Sequence, residues 1–551
     1  MKIEKITEGL KAGFRVLREN LSSFKMQQSG MKKTIASFLC FMFLMQQTSL
    51  LSVLASDITV GFGDGPIDIT PGNNYNINGQ FTSGATDFRN YNGFNLSDGN
   101  TANLIFSGGA NKFVNLVGGL NPITINGIVN TMKSNNFYNG HAIFVSPNGM
   151  VVGASGVLNV GALSVYTSPL NKVATDIDFA GIGLDDLINV DIGLNAPIKI
   201  HGKIFARDGV ELVAKQVYVE KDALVQNAPA PAIFSGMSDS TYNKALNYTD
   251  NTAETLFNSL VNTGVARNSN PTFANVNGKI VIKAQDVASK TAIINLDETR
   301  DTKAEVVVKG AYLDGVGIDI SANAASNYDN RVTNPVQDLN DIIEDIDNLV
   351  NGNITELMFG FEGANSVASV LIEDSSLKAM QDVNISSSAI AEAKYTVAEA
   401  GAGTIPMAHL IKNVANSSVE VKNTEITAKN DVNINAIAVS DLDMKISDSS
   451  FMTLIDDPLK MTVAIVFNDS KSSVLVDTVD KAIKSKNLDI NAINVVNQTL
   501  DIAYSTGSIP GLGGKIPALG AVVAVTSTDI STKAGFNGKF ESTDNGNLTV
   551  N

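Results

Sequence analysis

The chain has no tryptophan, one cysteine and three histidines in 551 residues, and charged side chains make up only 17% of it. Each shortage closes off a class of chemistry. Cys40 lies in a leader that export removes, so the mature protein carries no disulfide and no thiol nucleophile. His141, His201 and His409 each stand alone in their stretch of sequence, so no zinc-type ligand cluster is legible and no metal or other cofactor is expected. Gly61-Phe62-Gly63-Asp64-Gly65-Pro66 and Gly511-Leu512-Gly513-Gly514-Lys515-Ile516-Pro517 are glycine-rich, but neither opens a helix as a phosphate loop must, and both read as turns. No Gly-x-Ser-x-Gly elbow stands between a strand and a helix. Aromatic residues are 6% of the chain and form no girdles across residues 366–551, so no membrane barrel is expected there.

Long apolar runs are missing too. The run from Ile35 to Met45 falls short of the roughly 20 residues that a membrane span needs. It follows the basic start Met31-Lys32-Lys33 and precedes Val53-Leu54-Ala55, a small-residue cleavage site before Ser56. Residues 1–55 therefore read as a signal peptide with an extended amino-terminal region, handled by the Sec machinery and cut between Ala55 and Ser56. Translation from Met31 accounts for the prefix equally well. Phe38 and Leu39 stand before Cys40 where lipid attachment would want small residues. The leader takes eight of the 40 basic and three of the 56 acidic residues with it, leaving 32 and 53, a net of −21. Binding phosphates needs a basic surface, so a nucleic-acid partner is disfavoured.

What the chain does have is short β-branched segments broken by tight corners. In Asn139-Gly140-His141-Ala142-Ile143-Phe144-Val145-Ser146-Pro147-Asn148-Gly149-Met150-Val151-Val152-Gly153, the apolar run Ala142 to Val145 meets a Pro-Asn-Gly turn and Met150 to Val152 leaves it at once. Gly153-Ala154-Ser155-Gly156 turns again before Val157 to Val160 and Ala162 to Tyr166. Corners too tight for a crossover helix predict a backbone winding in coils, a β-solenoid in the all-β class.

Phe88-Arg89-Asn90-Tyr91-Asn92-Gly93-Phe94-Asn95-Leu96, Asn115-Leu116-Val117-Gly118-Gly119, Ile125-Asn126-Gly127 and the Pro-Asn-Gly corner resemble, in order over about eighty residues, the amino-terminal secretion domain of filamentous haemagglutinin-type exoproteins. The family corner reads Asn-Pro-Asn-Gly, and here Ser146 stands for the first Asn. The resemblance implies a right-handed parallel β-helix, exported by two-partner secretion through an outer-membrane barrel transporter with periplasmic domains. It associates Ser146, Pro147, Asn148, Gly149, Asn115 and Gly119 with recognition by that transporter or with secretion. The aliphatic, cysteine-free repeats are most similar to leukotoxin-type filamentous adhesins. Phe137 and Tyr138 before the corner could be exposed contacts, but capping the core is the favoured reading.

The expected organisation is a leader over 1–55, a secretion domain over 56–235, a β-helix with helical insertions over 236–365, and repeated coils over 366–551. Asp57 to Val60 and Ile67 to Thr70 would cap the open end of the helix. Thr252 to Val265 and Pro335 to Gly352 are predicted as short helical excursions, the second with Leu339, Ile342, Ile343 and Ile346 at helical spacing. Asp382-Val383-Asn384-Ile385, Asp431-Val432-Asn433-Ile434 and Asn487-Leu488-Asp489-Ile490 repeat, and Asn547-Leu548 begins another copy; each unit is predicted to hold two or three coils of about 25 residues. That makes roughly 20 coils in all. Aliphatic ladders should lie inside and Asn, Ser and Thr ladders outside.

The function expected is adhesive: an exported rod, secreted or held at the cell surface, binding a host-cell receptor or glycan, and not an enzyme. A leukotoxin-like cytotoxin on the same scaffold is the first alternative, and a β-helical glycan-active enzyme the second. Asp382 and Asp431 recur at matching positions but precede strands, where Asp suits a turn; Asp456-Asp457 before Pro458 reads as a loop. The chain stops within a repeat, so either a separate transporter exports it or it is the front of a longer product.

Overall fold

The computed structural model describes residues 58–60, 67–70, 74–167, 196–228, 230, 278–291, 297–329, 358–398, 407–447, 459–503 and 519–551. The leader with Ala55 and Ser56, both predicted helical excursions, the two glycine-rich turns and Asp456-Asp457 lie outside them. From Asp57 onward the chain forms one compact unit.

Every regular element among the described residues is a strand, and the strands join one sheet whose neighbours are mostly parallel. The predicted β-solenoid is what forms. Each coil passes through three faces, in most coils with one strand on each; Thr86–Leu96 and Leu459–Ser485 each run over two faces. On the first face Lys112–Val117, His141–Val145, Ala162–Tyr166 and Val210–Ala214 pair in succession, residue for residue. Ile123–Ile125, Met150–Val152, Ile198–Ile200 and Gln216–Val219 do so on the second. Thr101–Ile105, Ile128–Lys133, Val157–Val160 and Lys203–Ala206 do so on the third. Parallel pairing runs on across residues 235 and 365 without a break.

The amino-terminal end is closed by antiparallel pairing, as expected. Ile58–Val60 lies against Thr86–Leu96, and Asp68–Thr70 against Asn74–Asn78. Phe81–Ser83 adds a further antiparallel strand to Thr86–Leu96.

Alternation decides which residues enter the core. In Val432–Ser447, Val432, Ile434, Ala436 and Ala438 are fully buried, while Asn433 and Asn435 point outward. The outward asparagines stack as predicted. Asn103 donates to Asn76 at 3.1 Å, Asn130 to Asn103 at 3.2 Å and Asn159 to Asn130 at 3.0 Å. Each amide donates one way and accepts the other, so the ladder satisfies itself along the stack.

The coil count corrects the expectation. Asn433 donates to Asn384, Asn491 to Asn435 and Asn551 to Asn491 across adjacent rungs, at sequence separations of 49, 56 and 60. Each repeat is therefore one coil, not two or three. First-face strands after Thr86–Leu96 begin at Lys112, His141, Ala162, Val210, Ile280, Ile318, Val383, Val432 and Leu488, with Leu548 opening the next, which makes ten complete coils among the described residues. At ~4.8 Å per rung the stack is about 50 Å high. The coils are larger because their strands lengthen: His141–Val145 has 5 residues, whereas Val383–Ala398, Met407–Lys422 and Val432–Ser447 have 16 each.

The added length builds a flattened arm in which the first and second faces lie against each other. Next to the wider part of the coil its core is made of small residues, among them Ala364, Ala368, Ala389, Ala391, Ala415 and Ala436, and farther out Ile411, Leu442, Met444 and Val466 are buried. The Ser366 hydroxyl reaches the Ile390 carbonyl of the opposite sheet at 2.6 Å, and Ser472 reaches the Ala436 carbonyl at 2.8 Å. A serine can span the gap only if the sheets approach far closer than the ~10 Å usual for stacked sheets. Val, Ile and Leu fill the wider part of each coil, where three faces meet.

At the edge of the second face one column alternates in charge: Lys309, Glu373, Lys422 and Asp477 stand in register on successive coils. Lys309 pairs with Glu373 at 2.7 Å.

Candidate functional site

The residues singled out from the sequence meet at the corner between the first and second faces. His141–Val145 delivers the chain to Ser146, and Met150–Val152 carries it away. The turn closes with Gly149 N–H donating to the Ser146 carbonyl at 3.2 Å. Gly149 has φ +85°, and a Cβ there would sit 2.2 Å from the Pro197 carbonyl oxygen of the next coil, so both backbone shape and space demand glycine.

Neighbouring coils hold this corner from both sides. Ile123 N–H donates to the Gly149 carbonyl from the coil before, and Met150 N–H donates to the Pro197 carbonyl of the coil after. The Asn148 side-chain amide donates to the Gly119 carbonyl. Gly119 is constrained by space alone, since a Cβ would fall 1.6 Å from the Asn92 carbonyl oxygen. Asn92-Gly93, Gly118-Gly119, Ser146 to Gly149 and Ala196-Pro197 thus form a stacked ridge. Pro147 and Asn148 are partly exposed on it, and Leu120 beside Gly119 is 95% exposed. Sequence reading missed Leu120, because a lone leucine in a Gly-Leu-Asn-Pro turn carries no period.

Asn115 belongs to the interior of the same corner. It is fully buried, accepts the Tyr91 hydroxyl at 2.9 Å and donates to the Ile143 carbonyl at 3.1 Å. Tyr91 and Phe144 each meet Phe94 edge to face, at 5.2 and 5.5 Å. Asn115 therefore ties three successive coils together and does not reach the surface. Ser146 is buried as well, and its hydroxyl has no hydrogen-bond partner. Its N–H donates to the Tyr166 carbonyl at 3.0 Å.

Of the aromatic pair before the corner, Tyr138 caps the core as expected, against Phe106 at 5.1 Å with its hydroxyl on the Ala110 carbonyl. Phe137 departs from that reading: it is 37% exposed in the short strand Asn136–Phe137, which turns back antiparallel on Ile128–Lys133.

Three polar residues from separate coils come together outside the core, where the sequence offered only a solitary histidine. His141 Nε2 lies 2.8 Å from the Ser164 hydroxyl, which lies 3.4 Å from Glu211 Oε2. The Tyr166 hydroxyl donates to the same carboxylate. Burial, aided by the nearby Lys112 charge, lowers the His141 pKa to about 3, so the ring is neutral at physiological pH. The hydroxyl lies between imidazole and carboxylate, the reverse of the order that activates a serine, and it is fully buried. The group is a structural brace.

Asp382 and Asp431 occupy the turns predicted for them. Asp431 N–H donates to Asp382 Oδ1 at 3.1 Å, and Asn487 donates to Asp431 Oδ1 at 2.7 Å. Among the described residues no three His, Cys, Asp or Glu side chains stand together as metal ligands, and no helix is long and apolar enough to cross a membrane. No protein-family model matches the chain, and no curated protein matches its sequence.

Proposed function

We propose that this chain is an exported adhesin of the two-partner-secretion type, delivered through an outer-membrane barrel transporter and acting at or beyond the cell surface. The observation that carries the reading is the ridge in which Asn148 is tied to Gly119: the segments that resemble the secretion domain stack corner on corner and leave Pro147, Asn148 and Leu120 facing outward. The antiparallel closure just after the leader supports it too, since a capped solenoid is protected from edge pairing at that end.

Adhesion is tested by incubating the exported protein with cultured epithelial cells and measuring bound protein against concentration. Saturable binding without lysis is expected. Lysis of leukocytes by the purified protein would move the reading to a cytotoxin, and release of unsaturated or reducing sugar ends to a glycan-active enzyme. Secretion is tested separately by Asn148→Ala, which should lower export through the transporter more than it lowers stability.

A further inference from the structure

The outward side chains of the first face change character in the last coils. Register places Ile390, Val439 and Val495 in one column, with Ile437 and Ile493 in the column beside it. Ile390 is 41% exposed although its strand is paired on both sides; Ile493 and Val495, 46% and 39% exposed, lie on Leu488–Ala503, whose ladder to the last described strand covers only Leu488 to Ile490. Ile390, Ile437 and Val439 thus stand on the outside of strands paired on both sides, and Ile493 and Val495 continue their columns on the last long strand, five β-branched residues in one strip. Solvent-facing apolar strips of this kind mark interaction sites more often than isolated exposed residues do.

The border of the strip is acidic. Asp441, Asp443, Asp489 and Asp501 point outward on the same face, along with Glu392, which is paired to Lys394 at 2.5 Å. Lys445 is the other outward lysine of these strands. A second copy of the chain fits poorly, because docking this face on itself would press carboxylate against carboxylate. An anionic membrane is repelled for the same reason. A sugar ring would find no aromatic side chain in the strip to stack on.

We propose that this strip docks a basic polypeptide segment, one that presents aliphatic side chains flanked by lysine or arginine, and that it is the adhesive surface of the protein. The second clause rests on the adhesin reading; the first does not. Apolar contact would supply most of the affinity, and the carboxylates would set orientation and on-rate.

The test uses the exported chain and an immobilised synthetic peptide alternating lysine and valine, with a glutamate and valine peptide as comparison. The parent protein should bind the first saturably, more weakly as salt rises, and should not bind the second. A triple variant, Ile390→Ser with Ile493→Ser and Val495→Ser, should lose at least about tenfold in affinity. Asp441→Asn with Asp443→Asn, which preserves shape, should lower affinity and flatten the salt dependence. Ile465→Ser with Phe467→Ser, exposed on the opposite sheet of the same arm, should leave binding unchanged. Equal binding of both peptides, or parent-like affinity in the strip variants, would overturn the inference. Cell attachment is measured in parallel. Attachment that survives in strip variants overturns the adhesive role of the strip and leaves adhesion standing; peptide binding without attachment to any cell supports the docking surface and overturns adhesion.

Discussion

Ser387 and Ser417 face each other across the core of the flattened arm, hydroxyl to hydroxyl at 2.5 Å, one from each sheet. Side chains this short are what allow the sheets so close. Ser417→Leu should overpack the arm and cost about 2 to 3 kcal/mol, read as a lower urea midpoint. Ser417→Ala should cost about 1 kcal/mol, the loss of one hydrogen bond. A leucine variant as stable as the alanine one would mean that the sheets separate freely.

Asn413 is the polar counterpart. Its amide nitrogen lies 2.9 Å from the Ser440 hydroxyl, 3.1 Å from the Asp441 carbonyl and 3.1 Å from Asn468 Oδ1, with the Asn413, Ser440 and Asn468 side chains buried in the arm. Asn413→Ala strips these acceptors of a donor and should cost about 2 kcal/mol. Combined with Asn468→Ala the loss should fall short of the two single losses added together, because the residues share one network. Additive losses in that double-mutant cycle would contradict the coupling.

At the corner, glycine and serine should behave oppositely. Gly149→Ala places a methyl group against the Pro197 carbonyl at a positive φ and should cost about 3 kcal/mol or more. Ser146→Ala removes a buried hydroxyl that has no partner and should be neutral or slightly stabilising. Thermal denaturation of both variants decides the matter; a strongly destabilised Ser146→Ala would show that the hydroxyl has work in the fold.

His141 predicts a pH dependence with a definite sign. Above its ordinary pKa of 6.5 the imidazole is neutral in folded and unfolded chains alike and contributes no slope. Between 6.5 and about 3 the unfolded chain binds a proton that the folded chain does not, so stability falls as pH drops. One proton gives at most about 1.4 kcal/mol per pH unit. The urea midpoint of His141→Gln should therefore fall less than that of the parent between about pH 7 and about pH 5. Equal falls would mean that the ring takes up its proton in the folded state.

The strands, corners and outward asparagine ladders were legible because alternation and turn chemistry are local properties. Val432 to Ala436 announces its inside and outside within five residues. The size of the coil was not legible, because nothing in the sequence of a strand tells whether its neighbour one rung away is 27 or 60 residues distant; only the register settles it. The arm was hidden for a related reason. Its Ala and Ser positions read as weak strand residues, and their purpose emerges only when the opposite sheet is in place. At the corner, Pro147, Asn148 and Gly149 could be read as a turn, but the burial of Asn115 and Ser146 depends on coils before and after them. His141 is the extreme case, since Ser164 and Glu211 are brought to it by pairing of separate coils.

The column of Lys309, Glu373, Lys422 and Asp477 gives the stack a way to detect a miscount. The coils resemble one another closely enough that a chain could, by backbone pairing alone, skip one and continue. Skipping would bring Lys422 onto Lys309 and Asp477 onto Glu373, replacing each attraction with a repulsion at the same site. The alternation thus works as a parity check, one that fails whenever a single coil is skipped.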